Sequence, residues 1–256
     1  MKIRFIGAHN SESKKTRHAT IIIDDKIVID AGCLASELTF LEQEKIKAIF
    51  LTHGHYDHIK EIPAYAFNNT KETTSIYGNQ ETLDILKTHL LDGLIYPNFT
   101  ISNHFLKKPT IKLITIKNYE ILNFKEYEIK PVPVKHTINS NGFEIKTKDG
   151  KKIFISGDTG PGLKELWKKI QPELMIIDLT FPNKLEKIAI NSKHLCPKML
   201  NNELKDFYKI NKYYPKIILI HLNPIYEKEI KEEILRISEK LRVNIDFASD
   251  KKEISI

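Results

Sequence analysis

Cysteine is scarce in this chain of 256 residues. Only Cys33 and Cys196 occur, in no Cys-x-x-Cys pair, which excludes a disulfide framework and leaves two reduced, buried small hydrophobes. No stretch approaches eighteen consecutive apolar residues, so a membrane-spanning helix is not expected. The opening residues MKIRFIGAHN lack the apolar core of a signal peptide, and the cytoplasm is the expected compartment. Arginine is also rare: Arg4, Arg17, Arg236 and Arg242 are the full set. The net charge of +7 is therefore carried by lysine, the weaker residue for bidentate recognition of phosphates or bases. A positive field favours an anionic ligand such as a phosphate. Abundant isoleucine, asparagine and lysine, however, explain the charge by compositional bias alone.

What is present is ordinary for a soluble globular protein, with 41% apolar and 29% charged residues. The length suits one large domain with an ample core, and no repeat or low-complexity linker interrupts it, so residues 1–256 are read as a single domain. Short β-like runs open the chain (KIRFIG, ATIII, KIVIDAG), with Asp24-Asp25 predicting a hairpin turn between the second and third. A short helix is expected over 37–47, a buried strand at KAIFLT and a helix over 80–91 carrying Leu83, Leu86 and Leu90 on one face. Strands follow at IKLITI, YEIKPVPV, GFEIKT and KKIFIS, with turns expected at Gly142 and Asp149-Gly150. GLKELWKKI reads as a helix, LMIIDLT as a buried strand and PKMLNNELKDFYKI as a helix with Pro197 in its first turn. KIILIHLNP reads as a strand, 226–242 as an amphipathic helix and NIDFAS as a closing strand. Two mostly β halves, each ending in helices, predict two sheets packed face to face with helices outside.

The chemistry concentrates where apolar strands end in polar loops. IFLT runs into His53-Gly54-His55-Tyr56-Asp57-His58, PVPVK into His136, IFIS into Gly157-Asp158, and IILI into His221. A histidine at a strand end is by itself usually structural, but five histidines and two aspartates in this relation are not. Imidazole nitrogens with carboxylate oxygens suit zinc and related divalent ions. Seven such groups are too many for one tetrahedral ion and divide between two, with one carboxylate shared. Such a pair activates a water and stabilises charge on a substrate oxygen.

THGHYDH, with the later His136, Asp158 and His221, resembles the metallo-β-lactamase superfamily, and IDAG at 29–32 is similar to that family's early strand-turn element. The resemblance implies an α/β fold, an αββα sandwich of two mixed β-sheets with helices on the outer faces. It further implies that His53, His55 and His136 hold one metal, that Asp57, His58 and His221 hold a second, and that Asp158 bridges them. The expected ions are Zn2+, with Mn2+ or Fe2+ as alternatives. The superfamily hosts many hydrolases, so the motif specifies fold and metals more than substrate.

Substrate is narrowed by LTFPNKLEKIAINSKHLCPKML, which places His194 after an extended loop and before a helix. Phosphodiesterase branches of the superfamily carry an additional histidine in a similar setting, which implies a role on a phosphoryl oxygen or in protonating the leaving alkoxide. TLDILKTHLLDGLIYPNFT, SGDTGP, KHLCP and IHLNP are similar to segments of the class II cyclic-nucleotide phosphodiesterase branch. The first loop, Ala8-His9-Asn10-Ser11, departs from a pattern that is often glycine-rich. The expected function is hydrolysis of a 3′,5′-cyclic nucleotide by a metal-held hydroxide, with Asp57, Asp158 and His194 as the catalytic side chains. No Ser or Cys nucleophile is needed; a Cys196–His194 pair would leave seven ligand-type residues without a role. Tyr96 and Phe99 are placed either to stack on a base or to pack a loop onto the core. Thr137, Asn139 and Asn141 follow His136 and are placed either to meet substrate or to serve as ordinary polar turn residues. His9, His18, His89 and His104 are left outside the site, with His18 the first to reconsider.

Three rivals stand beside this reading. A transfer-RNA 3′-processing endonuclease shares the ligands and the additional histidine but grips RNA through a protruding, often glycine-rich arm, and ten glycines with no arm-like insertion weigh against it. The stretch IKNYEILNFKEYEIK reads as an ordinary strand pair rather than an RNA grip. Another compact cyclic phosphodiester, such as a sugar 1,2-cyclic phosphate, is not excluded by the sequence. A non-catalytic, metal-stabilised binding protein would be expected to lack some of the ligands. Among partners, a small phosphodiester is expected ahead of nucleic acid and no membrane is expected; the resemblance implies a homodimer.

Overall fold

In the computed structural model, Asp24 and Asp25 both take positive φ, 46° and 56°. They are the central residues of a tight turn closed by the Lys26 amide donating to the Ile23 carbonyl at 3.0 Å, a backbone that aspartate tolerates. They join β2 (Thr20–Ile23) to β3 (Ile27–Ile29) antiparallel, as the sequence predicts. The structure describes residues 1–69, 71–102 and 107–256, so His104 lies outside the described residues. By its contacts the chain divides into two units.

The first unit comprises residues 1–8, 12–116 and 249–256. β1 (Lys2–Gly7) pairs with β2 on one side and with β14 (Lys252–Ser255) on the other. From β3 onward the pairing turns parallel, through β4 (Ala48–Phe50), β5 (Thr74–Gly78) and β6 (Ile111–Thr115). The parallel strands are joined by helices. The helix expected over 37–47 is two: α1 (Leu34–Glu37) stops where Leu38 takes an extended backbone, and Thr39 starts α2 (Phe40–Gln43) with a capping box to Glu42. α3 (Tyr56–Ile59) and α4 (Ile62–Asn68) follow β4, and α5 (Gln80–His89) is capped by Asn79, which accepts from the Thr82 amide at 2.9 Å. Ile49, Leu51, Tyr65, Ile76, Leu86 and Phe99 are among the buried residues of this unit's core.

The second unit comprises residues 9–11 and 117–248. Its sheet runs antiparallel through β7 (Leu122–Phe124), β8 (Tyr127–Pro133), β9 (Asn141–Thr147) and β10 (Lys152–Ile155). It then runs parallel through β11 (Leu174–Asp178), β12 (Lys216–Ile220) and β13 (Ile245–Phe247). The stretch 116–130 is thus an ordinary strand pair, as expected. Gly142 is not a turn residue but lies inside β9, where a Cβ would come within 2.8 Å of the Ile155 carbonyl and the Phe154 ring. α6 (Lys164–Trp167) and α8 (Pro197–Asn211) pack on this sheet with α9 (Glu227–Leu241), and Trp167, Leu200, Leu204, Phe207 and Ile230 fill the core. The loop expected before His194 folds instead as a 3-10 turn and a helix, α7 (Glu186–Ser192). It buries one residue, Ala189.

Each sheet therefore switches from antiparallel to parallel pairing, and in such sheets functional groups gather at the carboxyl ends of the parallel strands. Among the described residues no helix is long and apolar enough to cross a membrane.

Candidate metal centre

In the first unit, β4 delivers Thr52 and His53 at its carboxyl end, and the chain turns at once into α3. His55 is the N-cap of that helix, while Asp57 and His58 lie on its single turn. Gly54 sits so tightly against Ile85 that a Cβ would approach the side chain to 2.6 Å. His53 and His58 are buried, at 0% and 1% exposure.

Their orientation is set by a residue the sequence analysis did not single out. Asp30 follows β3 with φ 60° and is buried. Its carboxylate accepts from the Thr52 amide at 2.8 Å, the Thr52 hydroxyl at 2.8 Å and His58 Nδ1 at 2.7 Å. With its hydrogen given to Asp30, the Thr52 hydroxyl accepts from His53 Nδ1 at 2.9 Å. Both rings thus carry their proton on Nδ1 and present Nε2 as the lone-pair nitrogen. His53 Nε2 and His55 Nδ1 face each other at 3.0 Å, and His58 Nε2 is 3.5 Å from Asp57 Oδ2. The signal for Asp30 was IDAG, a carboxylate ending a strand, but its partners are 22 and 28 residues away.

In the second unit, His136 lies beyond β8, Asp158 beyond β10 and His221 beyond β12, the last with φ 68°. Asp158 Oδ2 is 3.9 Å from His136 Nε2 and 3.5 Å from His221 Nε2, and all three residues are buried. Burial holds His136 below the ordinary imidazole value, outweighing the neighbouring Asp158 carboxylate that raises it. The neutral ring is the form that ligates a metal. His136 Nδ1 donates to the Lys193 carbonyl at 3.1 Å.

His194, between α7 and α8, joins this group. Its ring stacks on His221 at 5.2 Å between centroids and 17° between planes, and lies 5.0 Å from the His136 ring. Its Nδ1 donates to Asp178 Oδ2 at 2.7 Å. Asp178, the last residue of β11 and fully buried, was missed in the sequence, although LMIIDLT is again an apolar strand ending in a carboxylate. It also accepts from the Thr180 hydroxyl at 3.0 Å and from the amides of Thr159 at 3.3 Å and Leu195 at 3.4 Å. Thr180 Oγ1 in turn lies 2.9 Å from His221 Nδ1. Donor atoms of Asp158, Asp178, His194 and His221 all fall within 4.8 Å of one another. Asp178 is nevertheless occupied by four donors, which makes it the orienting group for His194 and His221.

Of the predicted site residues, the first unit brings together His53, His55, Asp57 and His58, and the second His136, Asp158, His194 and His221. Each set mixes imidazole nitrogens with a carboxylate and carries partners that fix the tautomers, the donor chemistry that suits divalent cations. Phe99 is 1% exposed, with Tyr96 at 6.4 Å and Phe67 at 6.4 Å, and packs a loop onto the core. Asn141 is buried and donates to Asn118 at 2.6 Å. His18 lies in the first unit; a Cβ on Gly32 would stand 2.6 Å from His18 Cβ and 2.4 Å from the Asp57 carbonyl, so it borders the ligand turn. Desolvation lowers its pKa, although Asp57 raises it. His9, in the second unit, pairs with Glu227 at 3.4 Å, and His89 ends α5.

Residues 25–224 match the family model of the beta-lactamase superfamily domain, and the chain belongs to that family. Its two seven-stranded mixed sheets with helices are those of the metallo-β-lactamase fold. Among relatives, it is 22% identical over 222 residues to a probable 3′,5′-cyclic-nucleotide phosphodiesterase of Yersinia pestis, covering 76% of this chain and 63% of that protein. It is 29% identical over 144 residues to ribonuclease Z of Pyrococcus abyssi, covering 52% and 44%. The chain thus spans less than two thirds of the length of either curated relative. The unliganded structure of yeast PDE1 superimposes with a TM-score of 0.83 at 15% identity, covering 100% of this chain and 99% of that one.

Proposed function

We propose that this protein is a two-metal phosphodiesterase that hydrolyses a small phosphodiester, a 3′,5′-cyclic nucleotide foremost. In this reading His53, His55 and His136 hold one ion, Asp57, His58 and His221 hold the other, and Asp158 is shared; zinc suits the imidazole-rich set. When bound, the ions supply Lewis-acid stabilisation of the phosphoryl oxygens and a water acidic enough to attack at neutral pH. Asp57 or Asp158 would orient the attacking water and accept its proton.

The observation that carries the reading is the Asp178–His194 pair beside the second ligand set. Asp178 holds the proton on His194 Nδ1 at 2.7 Å and stabilises the imidazolium, so Nε2 is the atom that delivers a proton to the leaving alkoxide. A ribose alkoxide is a poor leaving group and needs that proton. Support also comes from the cyclic-nucleotide phosphodiesterase relative, whose match covers 76% of this chain. The higher identity to the ribonuclease favours a second reading, cleavage of a transfer-RNA precursor, which uses the same side chains.

The test is turnover of cyclic AMP, cyclic GMP and a transfer-RNA precursor by the metal-replete protein, with Asp158→Ala as the contamination control. Cleavage of the cyclic nucleotides alone is expected. Cleavage of the precursor alone moves the protein to the RNA-processing reading, and no cleavage of any of them with two ions bound overturns both.

A further inference from the structure

Helix α7 ends on Lys193, whose φ of 52° and ψ of 54° put it in the left-handed region. That position at a helix C-terminus is commonly glycine, because a side chain there is disfavoured. Lys212 and Arg242 close α8 and α9 in the same left-handed way, so the cap by itself marks nothing; what sets Lys193 apart is where its side chain goes.

Its Nζ donates to the His136 carbonyl at 2.9 Å, while its own carbonyl accepts from His136 Nδ1 at 3.1 Å. Two residues 57 positions apart are therefore clasped reciprocally, main chain of each to side chain of the other. A third turn meets the same point. Gly160, two residues beyond Asp158, packs so closely that a Cβ would lie 3.0 Å from Lys193 Cα and 3.2 Å from its carbonyl carbon. The Gly160 amide donates to the Lys135 carbonyl at 2.6 Å, and the Lys135 amide donates to Thr159 Oγ1 at 3.2 Å. The turns bearing His136 and Asp158 and the segment bearing His194 thus converge on one residue, and a ligand imidazole gains its orientation from whatever holds its other nitrogen.

We propose that Lys193 is a positioning residue that locks the His136 ring, with Nδ1 on the Lys193 carbonyl and Nε2 toward Asp158, through the reciprocal clasp between the two residues. The inference rests on the proposed function only in taking His136 as a metal ligand. It assigns the side chain a role that the helix cap alone does not need. The carbonyl aims at the ring because the backbone is left-handed, and the ammonium keeps the His136 main chain in place beneath it.

The test compares Lys193→Met, Lys193→Gly and Lys193→Arg in the full-length chain. Zinc alone is titrated against a chromophoric chelator, with thermal melting alongside and 15N-histidine spectra of the metal-free protein reading the His136 ring. Lys193→Met is expected to weaken the zinc site that His136 holds about ten-fold, the lower end of what outer partners of metal ligands contribute. It should also broaden or split the His136 ring signals. Lys193→Gly relieves the left-handed strain, so it should melt no lower than wild type yet lose the same zinc affinity, a split that a merely structural cap does not produce. Lys193→Arg should restore most of the affinity. Wild-type zinc binding and an unchanged His136 ring signal in both the Met and Gly variants would overturn the proposal. If wild type itself bound no zinc, the proposed function would fall, while the ring signals of the metal-free Met variant would still decide the clasp.

Discussion

Replacing Asp178 by asparagine separates three roles that the carboxylate could have. The side chain is fully buried and accepts from His194 Nδ1 at 2.7 Å, Thr180 Oγ1 at 3.0 Å, and the Thr159 and Leu195 amides at 3.3 and 3.4 Å. Asparagine keeps the shape and one acceptor oxygen but turns an NH2 toward a shell of donors. The Thr180 hydroxyl can rotate to accept; one or two of the other donors cannot. At about 1–3 kcal/mol for each buried donor left without an acceptor, the loss is about 1–6 kcal/mol. That lowers the melting temperature without unfolding a protein of ordinary stability. The catalytic effect depends on the leaving group. With His194 no longer held as the Nδ1–H tautomer, cleavage of a cyclic nucleotide should slow by about 10²–10⁴-fold, the usual contribution of a positioned acid. Bis(p-nitrophenyl) phosphate releases a phenolate that needs no proton, and its hydrolysis should fall by well under that factor. The assay is turnover of both substrates by parallel preparations, with metal content measured on the same samples. Equal losses on the two substrates would refute the proton-delivery role of His194. A stripped ion would refute the assignment of Asp178 as an orienting group and make it a ligand.

If Asp158 is the shared ligand of the proposed two-metal site, Asp158→Ala should remove both ions; metal analysis after dialysis reads the stoichiometry. Glu203→Ala should cost about 3 kcal/mol or more, since this buried carboxylate on α8 accepts from the amides of Gly162 and Leu163 and from Trp167 Nε1 at 2.6, 3.2 and 2.9 Å, and denaturant unfolding measures the loss. Phe99→Ala should destabilise by about 3–5 kcal/mol while leaving KM for the cyclic nucleotide unchanged, because the ring is core rather than base platform. Cys33, whose thiol is pushed up to about 12 by burial, should resist iodoacetamide at pH 8 until urea unfolds the chain. Because the unfolded thiol ionises above about 9 and the folded one does not, this group withdraws stability as pH rises through that window and none below it, which a pH series of melts reads.

Residue types and their place at strand ends were legible without coordinates. A run such as IFLT changing abruptly to HGHYDH shows both a buried strand and its mouth, and imidazole and carboxylate announce ligand chemistry wherever they gather. The hairpin at Asp24-Asp25, the helices from Gln80 and Pro197, and the strands that carry His53, Asp158 and His221 follow from local pattern, which one segment contains in itself. Elements whose pattern is weak were invisible: β14 exists because β1 offers it an edge, and Gly142 lies in β9 because the neighbouring strand leaves no room for a Cβ. Asp30, Asp178 and Lys193 could not be assigned roles from their neighbours in the chain. A carboxylate becomes an orienting group by what donates to it, and a lysine becomes a clasp by which carbonyl its ammonium reaches. Those partners lie 16 to 57 residues away and meet only because the strands end side by side. Residue types with metal-ligand chemistry can be read from the sequence alone; the tertiary structure decided which ring nitrogen is tied to a protein partner, because that partner comes from a distant part of the chain.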